Sequence, residues 1–394
     1  ASSKAVAFAV RSGAHSYEGF SGSPGLVIDI KRLNRVSFNK VSKTVTVGAG
    51  ATLGDVQTAL KGTGYALACG TCPTVGIAGH VLGGGYGLLA RAYGLATDSL
   101  KSIRLIDPKG SSVAASSASN RDLFWASRGG GGGSFGVVTE FVLRVHAVSN
   151  VDVFALSWTL SRDRAASLVD TWQKWAPRAD TGITALLKIS KAANQNVSLR
   201  CIGQSISVRA ALIAELKKLE TVETPTTPHS IQKKTFWKAF EYFTGTGRDP
   251  YFQKERSDFV ASLSGAAIKQ LLQQIIAQPV SHIGIIFNAY SGVINDLGEE
   301  VTAFPHRSSV NYMLHYYGGW DDPKSTKARV DEMTAFYDGM RQYVPGKAYV
   351  NYSDAQLSDW PTAYWGKNLD RLKKVKRAFD PGNLFQFKQS VPLV

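Results

Sequence analysis

The segment RSGAHSYEGFSG, residues 11–22, places a histidine and a tyrosine two positions apart in a loop rich in glycine and serine. Such a loop adds little to a hydrophobic core, so the imidazole of His15 is a candidate for chemistry. A second loop holds Cys69 and Cys72 and continues as CPTVGIAGHVLGGGYG, and a third holds five consecutive glycines, Gly129–Gly133. Imidazole and thiolate are nucleophiles, and glycine backbone lets a ligand approach closely. The three loops indicate a large ligand that is both cradled and attacked.

The glycine run also matches two short motifs that its context excludes. Gly131–Gly136 satisfies G-x-G-x-x-G, and the same residues satisfy G-x-S-x-G around Ser134. Both motifs require a strand before the glycines and a helix after them, whereas here a predicted helix precedes and a predicted strand follows. We therefore predict neither a dinucleotide-binding βαβ unit nor a serine nucleophile.

The C-x-x-C pair admits two other interpretations, half of a zinc site or a thiol–disulfide redox pair. No second cysteine pair exists, and the nearest histidine, His80, stands alone. The βαβ context of a thioredoxin-like motif is also missing. Three cysteines cannot form a disulfide framework for 394 residues. We predict no metal site, and we expect any cysteine role to be local to its own loop.

The elements that must position these loops follow from hydrophobic periodicity. Glycine is frequent up to about Val145 and thins beyond it, which predicts a domain boundary there. Beyond that point strands and helices come in blocks, which is typical of an antiparallel sheet backed by helices in an α+β fold. The predicted strands are 4–13, 25–30, 42–50, a hairpin over 101–113, 151–160, 281–292 and 308–320, and the predicted helices are 52–60, 119–129, 161–175, 207–219 and 264–278.

The excess of cations, 45 Lys+Arg against 30 Asp+Glu, raises the question of a nucleic-acid partner. We predict none, because the charges are scattered and no nucleic-acid-binding motif accompanies them. In the densest run, 367–377, apolar residues three to four apart mark one buried helix face, so its cations are predicted to be mostly solvated. No run approaches the ~18 apolar residues of a membrane span, and no membrane partner is predicted.

Seven stretches resemble the berberine bridge enzyme-like branch of the vanillyl-alcohol oxidase flavoprotein superfamily. They are RSGAHSYEGFSG, LVIDIKRLN, CPTVGIAGHVLGGGYGLLARAYGLATD, DLFWASRGGGGGSFGVVTEF, TAFPHR, YVNYSD and YWGKNLDRLKKVKRAFDPGNLFQFKQSV. They are long, ordered and span nearly the whole chain. The resemblance implies a two-domain flavoprotein in which an FAD-binding α+β domain, residues 1–145 and 366–394, is split by a substrate domain, residues 146–365.

The resemblance also implies FAD held by two covalent bonds, from His15 to the 8α-methyl group and from Cys72 to C6 of the flavin. At one position the motif is altered, since Ala14 stands where relatives usually have glycine, and we expect that change to be mild. Relatives carry a further stretch before the RSGAHS motif, so we expect either a shortened chain or an incomplete pyrophosphate site. Matching positions imply these further cofactor contacts: Arg11, Ser12, Gly13, Ala14, Ser16, Val75, Gly76, Gly79, His80, Gly83, Gly84, Tyr86, Gly87, Gly136, Val138 and Asn351.

Oxidation of a carbon that bears a hydroxyl needs a base for the hydroxyl proton. Tyr352 in YVNYSD matches the family's active-site tyrosine, whose phenolate would be that base. Because the pKa of an ordinary tyrosine is near ~10, neighbouring groups must lower it. His315 and Asn288 are the candidates, and lysine or arginine side chains in the same cleft could contribute. Tyr17 and Tyr86 match tyrosines that line the flavin pocket in relatives.

These features predict an FAD-dependent oxidase that takes hydride from a hydroxyl-bearing carbon, most simply the anomeric carbon of a sugar or oligosaccharide, and releases hydrogen peroxide. Oxygen is the implied acceptor because Val75 stands where the family controls access to the flavin, and a valine there resembles the oxidase type. The alternatives are oxidative tailoring of a secondary-metabolite alcohol or alkaloid and, from another class, a low-turnover flavin-holding or basic polymer-binding surface protein. We expect a monomer, and family habit favours secretion, in which case the sequon at Asn196 would be used.

Overall fold

The computed structural model describes residues 6–244 and 252–394, and two antiparallel sheets dominate it. The strands are β1 Phe8–Arg11, β2 Leu26–Asp29, β3 Val36–Asn39, β4 Thr44–Gly48, β5 Tyr65–Ala66, β6 Leu100–Ile106, β7 Ser112–Ser116, β8 Val137–Arg144, β9 His146–Ala147, β10 Asn150–Leu160, β11 Ile183–Lys191, β12 Val197–Ser205, β13 Thr227–Thr235, β14 Phe252–Val260, β15 Ile283–Ala289 and β16 Tyr312–Trp320. The helices are α1 Leu53–Leu60, α2 Ile77–Leu82, α3 Ala90–Tyr93, α4 Arg121–Ala126, α5 Arg162–Trp175, α6 Arg209–Glu220, α7 Phe236–Thr244, α8 Gly265–Ala277, α9 Val293–Asp296, α10 Thr326–Met340, α11 Trp360–Trp365 and α12 Leu369–Phe379. The first predicted strand is observed from Phe8, and its residues 4 and 5 lie outside the described ranges.

The larger sheet has seven strands in the order β13-β10-β12-β11-β15-β16-β14, and neighbouring strands are antiparallel. Helices α5, α6, α8 and α10 share a hydrophobic core with one face of it, on which Leu187, Ile285 and Leu314 lie. Side chains alternate along a strand, so Lys188 and His315 point to the other face, which lines a cleft. The predicted antiparallel sheet backed by helices is therefore confirmed.

The smaller sheet has five strands in the order β3-β4-β8-β6-β7, with the predicted hairpin as β6 and β7. Its helix α1 begins with a capping box, in which Thr52 and Asp55 each accept a hydrogen bond from the other's backbone N–H. Leu53, Val56 and Leu60 on α1 are buried against this sheet's core. None of the helices in the described part combines the length and apolar character that crossing a bilayer requires.

The C-terminal residues return to the core of the smaller sheet. Leu372 and Val375 of α12 are buried there, as the amphipathic spacing predicts. Tyr364 and Trp365 of α11 pack in the same core, so residues on both sides of the expected boundary at 366 contribute to it. The boundaries of the two domains stay a prediction.

One cation of α12 departs from the predicted solvated face. The side chain of Lys376 is fully buried and donates to Asp380 Oδ2 at 2.6 Å, to Ser134 O at 2.7 Å and to Phe385 O at 2.6 Å. Asp380 also accepts the backbone N–H groups of Leu384 and Phe385. The ammonium thus joins the glycine-rich loop at Ser134 to the C-terminal segment, and hydrophobic spacing alone could not show this.

We expect the Lys376→Met variant to lose about 3–5 kcal/mol of unfolding free energy, because it leaves the buried carboxylate of Asp380 without its counter-charge. Thermal and urea unfolding measure the loss. Lys374→Met is the matched control, since Lys374 lies on the exposed side of the same helix. Equal stability of the two variants would show that the buried pair contributes nothing.

Candidate functional site

Two loops of the smaller-sheet region cross so closely that only glycine fits at the crossing. A Cβ atom built on Gly13 would lie 2.2 Å from the backbone nitrogen of Gly76, and one built on Gly76 would lie 2.3 Å from that of Gly13. The crossing brings the RSGAHS loop against the CPTV loop. His15 Nε2 lies 2.8 Å from Thr74 Oγ1, and Cys72 Sγ lies 3.5 Å from the same hydroxyl. The two predicted nucleophiles therefore meet at one threonine.

The crossing forms one end of a cleft of about 500 Å³. Its other walls are the glycine run at Gly130–Gly133 and the face of the seven-stranded sheet opposite helices α5, α6, α8 and α10. A Cβ built on Gly79 would meet no atom within 4 Å, and one built on Gly132 would meet none closer than 3.7 Å, so bare backbone faces open space. These positions fit a ligand that has a broad planar ring and phosphate groups, because glycine backbone can approach the ring closely and can donate N–H groups to the phosphates.

The structure brings most of the predicted site residues to this cleft. The residues among them that line it are Ser12, Gly13, Ala14, His15, Ser16, Tyr17, Cys72, Val75, Gly76, Gly79, His80, Tyr86, Gly87, Gly136, Val138, Asn288, His315, Asn351 and Tyr352. Arg11, Gly83 and Gly84 do not line it. Arg11 instead donates to Asp29 of β2, Gly83 lies against the side chain of Asn351, and Gly84 lies against Phe304. Their contact with a cofactor stays a prediction.

Ala14 has an unfavourable backbone conformation that the sequence does not reveal. Its φ is +59°, in the left-handed region where a Cβ costs about 1 kcal/mol or more and glycine costs little. This φ adds a backbone cost that the sequence does not show, and the expectation that the alanine is a mild change stays a prediction. The neighbouring His15 is held by a slightly strained loop.

Asn351 fastens the YVNYSD loop to the second glycine-rich loop. Its Nδ2 donates to His80 O at 3.1 Å and to Tyr349 Oη at 3.0 Å, and Tyr349 Oη in turn accepts the N–H of Gly85 at 2.8 Å. His80 Nε2 accepts the N–H of Gly70 at 3.0 Å, and burial lowers the pKa of His80 to about 4. His80 is therefore a neutral, positioned imidazole at neutral pH.

Tyr352 lies in a cluster of rings at the sheet side of the cleft. Its ring stacks on His315 with centroids 4.0 Å apart and meets Tyr17 and Tyr349 edge-on at 6.1 and 5.1 Å. Burial, reinforced by Tyr17 and Tyr349, raises the pKa of Tyr352 well above its ordinary value. The expectation that neighbours lower this pKa is wrong for the described residues, because their main effect is to desolvate the phenol.

Asn288 does not assist Tyr352 as expected. Its Nδ2 donates to the carbonyls of Ile286 and Met313, both at 3.2 Å, so the amide hydrogens are occupied by the sheet. Tyr86 is likewise held by the sheet, since its Oη donates to Ala289 O at 2.8 Å. Both side chains still line the cleft, where they shape the space open to a ligand.

Glu255 is a site residue that sequence reasoning missed. It lies on β14, which pairs with β16, and its Oε2 contacts His315 Nε2. Burial raises the pKa of the Glu255 carboxyl, while the imidazole of His315 opposes the shift. In the sequence Glu255 stands within KERSD, which reads as an exposed charged stretch. Only the strand register places it beside His315, sixty positions away.

Lys254, the preceding residue, was also missed and has a different role. Its ammonium contacts Glu18 of the RSGAHS loop and donates to Asp354 Oδ1 of the YVNYSD loop at 2.8 Å. Its side chain is only 8% exposed, so both contacts are shielded from solvent. One buried cation on the sheet therefore holds the His15 loop and the Tyr352 loop in place.

Cys69 and Ser134 both have local contacts that bear on the remaining sequence hypotheses. Cys69 is a buried free thiol that accepts from Gln57 Nε2 at 3.2 Å, and burial raises its pKa to about 12. Ser134 follows α4, precedes β8 and accepts the N–H of Val391, which agrees with its exclusion as a nucleophile. No group of three metal-binding side chains occurs in residues 6–244 and 252–394.

Residues 1–116 match the family model described as "FAD binding domain", and residues 348–392 match "Berberine and berberine like". The chain is 33% identical to the FAD-linked oxidoreductase YgaK of Bacillus subtilis over 98% of its own length and 86% of YgaK. It is 32% identical to berberine bridge enzyme-like 2 of Arabidopsis thaliana over 97% of its length and 78% of the relative. The chain belongs to the berberine bridge enzyme-like family. It is an FAD-linked oxidoreductase, and its substrate is a small molecule.

Solved structures of this family share the fold. Physcomitrella patens BBE-like 1 superposes with a TM-score of 0.91 at 30% identity, covering 100% of this chain and 87% of the other. Berberine bridge enzyme from Eschscholzia californica gives 0.90 at 28% identity, with 99% and 86% covered. The α+β flavoprotein fold predicted from the sequence is therefore confirmed.

Proposed function

We propose that FAD is attached through both His15 and Cys72. The support is that both side chains contact one hydroxyl, Thr74 Oγ1, so they lie no further apart than the sum of two hydrogen-bond lengths. The flavin 8α-methyl group is attached to C8, and C8 and C6 lie on the same edge of the ring with C7 between them. Two nucleophiles held beside one hydroxyl match two electrophilic positions on one edge of the flavin ring.

We further propose that the protein is an oxidase of a hydroxyl-bearing carbon, with a sugar or oligosaccharide as the substrate. The bound flavin supplies a hydride acceptor that molecular oxygen can reoxidise to give hydrogen peroxide. The observation that carries the proposal is the sheet wall opposite His15 and Cys72, where His315 and Tyr352 present an imidazole and a phenol to the same cleft. A hydroxyl bound against that wall has a proton acceptor and a hydrogen-bond donor within one aromatic cluster.

A panel of reducing mono- and oligosaccharides, benzylic and allylic alcohols, and a benzylisoquinoline alkaloid tests this function, with peroxide release and flavin bleaching as readouts. Bleaching and peroxide with the sugars are expected. Turnover confined to the alcohols or the alkaloid would favour oxidative tailoring of a secondary metabolite. A yellow protein that none of the compounds reduces would favour a low-turnover flavin-holding or polymer-binding surface protein.

Val75 is the residue on which oxygen as the acceptor depends. It lines the cleft three positions after Cys72, and its side chain packs on the core beneath the glycine loops. An added methylene in a close-packed wall fills space that a diatomic molecule needs. We therefore expect the Val75→Ile variant to slow reoxidation by air at least tenfold, while reduction by substrate changes little.

Stopped-flow mixing of the reduced protein with oxygenated buffer measures this rate, and Val75→Ala is the matched control because it enlarges the space. If the unmodified protein is reoxidised slowly, or if the Val75→Ile variant is reoxidised at the same rate, a dehydrogenase with another acceptor is the better description.

We propose that the protein is secreted and acts as a monomer. Asn196 of the sequon lies in the turn between β11 and β12, where it is partly exposed.

A further inference from the structure

We infer that Glu255 is a positioning residue that holds His315 with its proton on Nε2, so that Nδ1 is the nitrogen that accepts the substrate's hydroxyl proton. This inference rests on the proposed function for the identity of the reaction. The hydrogen bond between Glu255 and His315, by contrast, belongs to the protein itself. The two parts can therefore be tested separately.

The burial of the pair is the first argument. Glu255 is 5% exposed and His315 is 9% exposed, and both side chains come from adjacent strands of one sheet, β14 and β16. A carboxyl group buried in a sheet costs several kcal/mol unless it is paired. Within the described part of the chain its polar partner is His315 Nε2. Such a pair adds little stability over apolar residues of similar size, which favours a role in function.

The geometry of the imidazole is the second argument. A carboxylate that accepts from one ring nitrogen fixes the proton there and leaves the other nitrogen as the acceptor. The face of the His315 ring is covered by Tyr352, whose centroid lies 4.0 Å away, and the ring cannot turn without breaking that stack. No described residue forms a hydrogen bond with Nδ1. His315 lines the cleft, so Nδ1 is the nitrogen left for a ligand.

The surroundings of His315 favour the imidazole over the phenol as proton acceptor. The titratable groups that face it or share its cleft wall are Glu255, Tyr317, Tyr352, Tyr17, Tyr86 and Lys188. Burial raises the pKa values of Tyr352, Tyr317 and Tyr86, so these phenols keep their protons at neutral pH. The contact with His315 opposes the effect of burial on the Glu255 carboxyl, and the ionised carboxylate would stabilise an imidazolium as the carboxylate of a catalytic triad does.

The proton balance is simple. The O–H bond of the substrate breaks, its proton binds to Nδ1 of His315, and its electron pair becomes the second bond of the new carbonyl group. The C–H bond of the hydroxyl-bearing carbon also breaks, and its hydrogen leaves with both electrons of that bond as the hydride that the proposed oxidation would transfer to FAD. Glu255 keeps the Nε2 hydrogen bond throughout, and Tyr352 can donate a hydrogen bond to the same substrate oxygen.

The first test is nitrogen NMR of histidine-labelled holoenzyme, with His315→Gln used to assign one of the seven histidines. At neutral to mildly alkaline pH we expect His315 to show a protonated Nε2 and an unprotonated Nδ1. In the Glu255→Gln variant, which keeps the size of the side chain, this tautomer should become mixed. A protonated Nδ1 in the unmodified protein would overturn the inference. The same tautomer of His315 in the unmodified protein and in the Glu255→Gln variant would also overturn it.

The second test is the pH profile of flavin reduction by whichever panel compound bleaches the flavin. The rate should rise with pH as the imidazole loses its proton. The Glu255→Gln change removes a carboxylate beside the proposed proton acceptor, so the rising limb of the rate profile should move to lower pH and the plateau should fall about tenfold. A purely structural role would lower the melting temperature without moving the limb, and that outcome would overturn the inference.

Asp258→Asn is the matched control, because Asp258 is a buried carboxyl on the same strand that pairs with Arg341 on the opposite face of the sheet. It should change neither the tautomer of His315 nor the pH profile. If no panel compound reduces the flavin, the proposed function fails, while the NMR result still decides whether Glu255 sets the tautomer. If the Glu255→Gln variant shows the expected change of tautomer but a near-normal pH profile of flavin reduction, the proton-accepting role of Nδ1 is rejected.

Discussion

Replacing His15 and Cys72 together by alanine is expected to abolish covalent attachment of FAD, whereas either single replacement leaves the cofactor bonded through the other residue. The reason is geometric, because each nucleophile reaches a different position on the ring and neither bond depends on the other. Acid precipitation of the protein measures the outcome. FAD should stay in the pellet for the unmodified protein and both single variants, and should appear in the supernatant for the double variant.

Cys69→Ala is the matched control for this experiment. Cys69 lies three positions before Cys72 but is buried against Gln57, and burial raises its pKa to about 12, so its thiol is not a nucleophile at neutral pH. The Cys69→Ala protein should keep its FAD in the pellet. Free FAD from the unmodified protein, or from either single variant, would show that at least one of the two bonds does not form.

Replacing His315 by glutamine is expected to slow flavin reduction by about 10²–10⁴, which is the usual contribution of a general base. The Tyr352→Phe variant should lose only about tenfold, because it removes one hydrogen bond to the substrate while the ring stack is kept. Single-turnover reduction under anaerobic conditions measures both rates. The absorption spectrum of the oxidised flavin should be unchanged in each variant, which shows that the cofactor site is intact.

The order of these two effects is the decisive comparison. A phenolate base would reverse it, since Tyr352→Phe would then cost more than His315→Gln. Tyr317→Phe is a suitable control, because Tyr317 lies 5.9 Å from His315 on the same strand and its hydroxyl carries no proposed role. If all three variants lose activity equally, the effect is on packing of the aromatic cluster and the base lies elsewhere.

The sequence predicted well those parts of the site that lie on loops. The motifs around His15 and Cys72 carry glycines at fixed spacing, and those glycines are required because the two backbones cross within van der Waals contact at Gly13 and Gly76. The larger sheet was predictable for a related reason. Its helix-backed strands alternate apolar residues, and its helices repeat them every three to four positions.

The parts that sequence reasoning missed depend on tertiary contacts. Glu255 is close to His315 only because β14 pairs with β16. The local hydrophobic periodicity of the sequence does not predict the register between strands that are so distant in the chain. Lys376 is one cation among several on α12, and only the return of the C-terminal segment buries it. Tyr352 was assigned a lowered pKa from its chemistry, whereas its burial raises the pKa.

Lys254 contacts Glu18 near the start of the chain and Asp354 near its end. Residues from Phe8 to Gln389 line the same cleft, so almost the full length of the polypeptide takes part in building it. During synthesis, His15 and Cys72 emerge from the ribosome long before the residues that complete their surroundings. The complete cleft therefore forms only after the residues up to Gln389 have been synthesised.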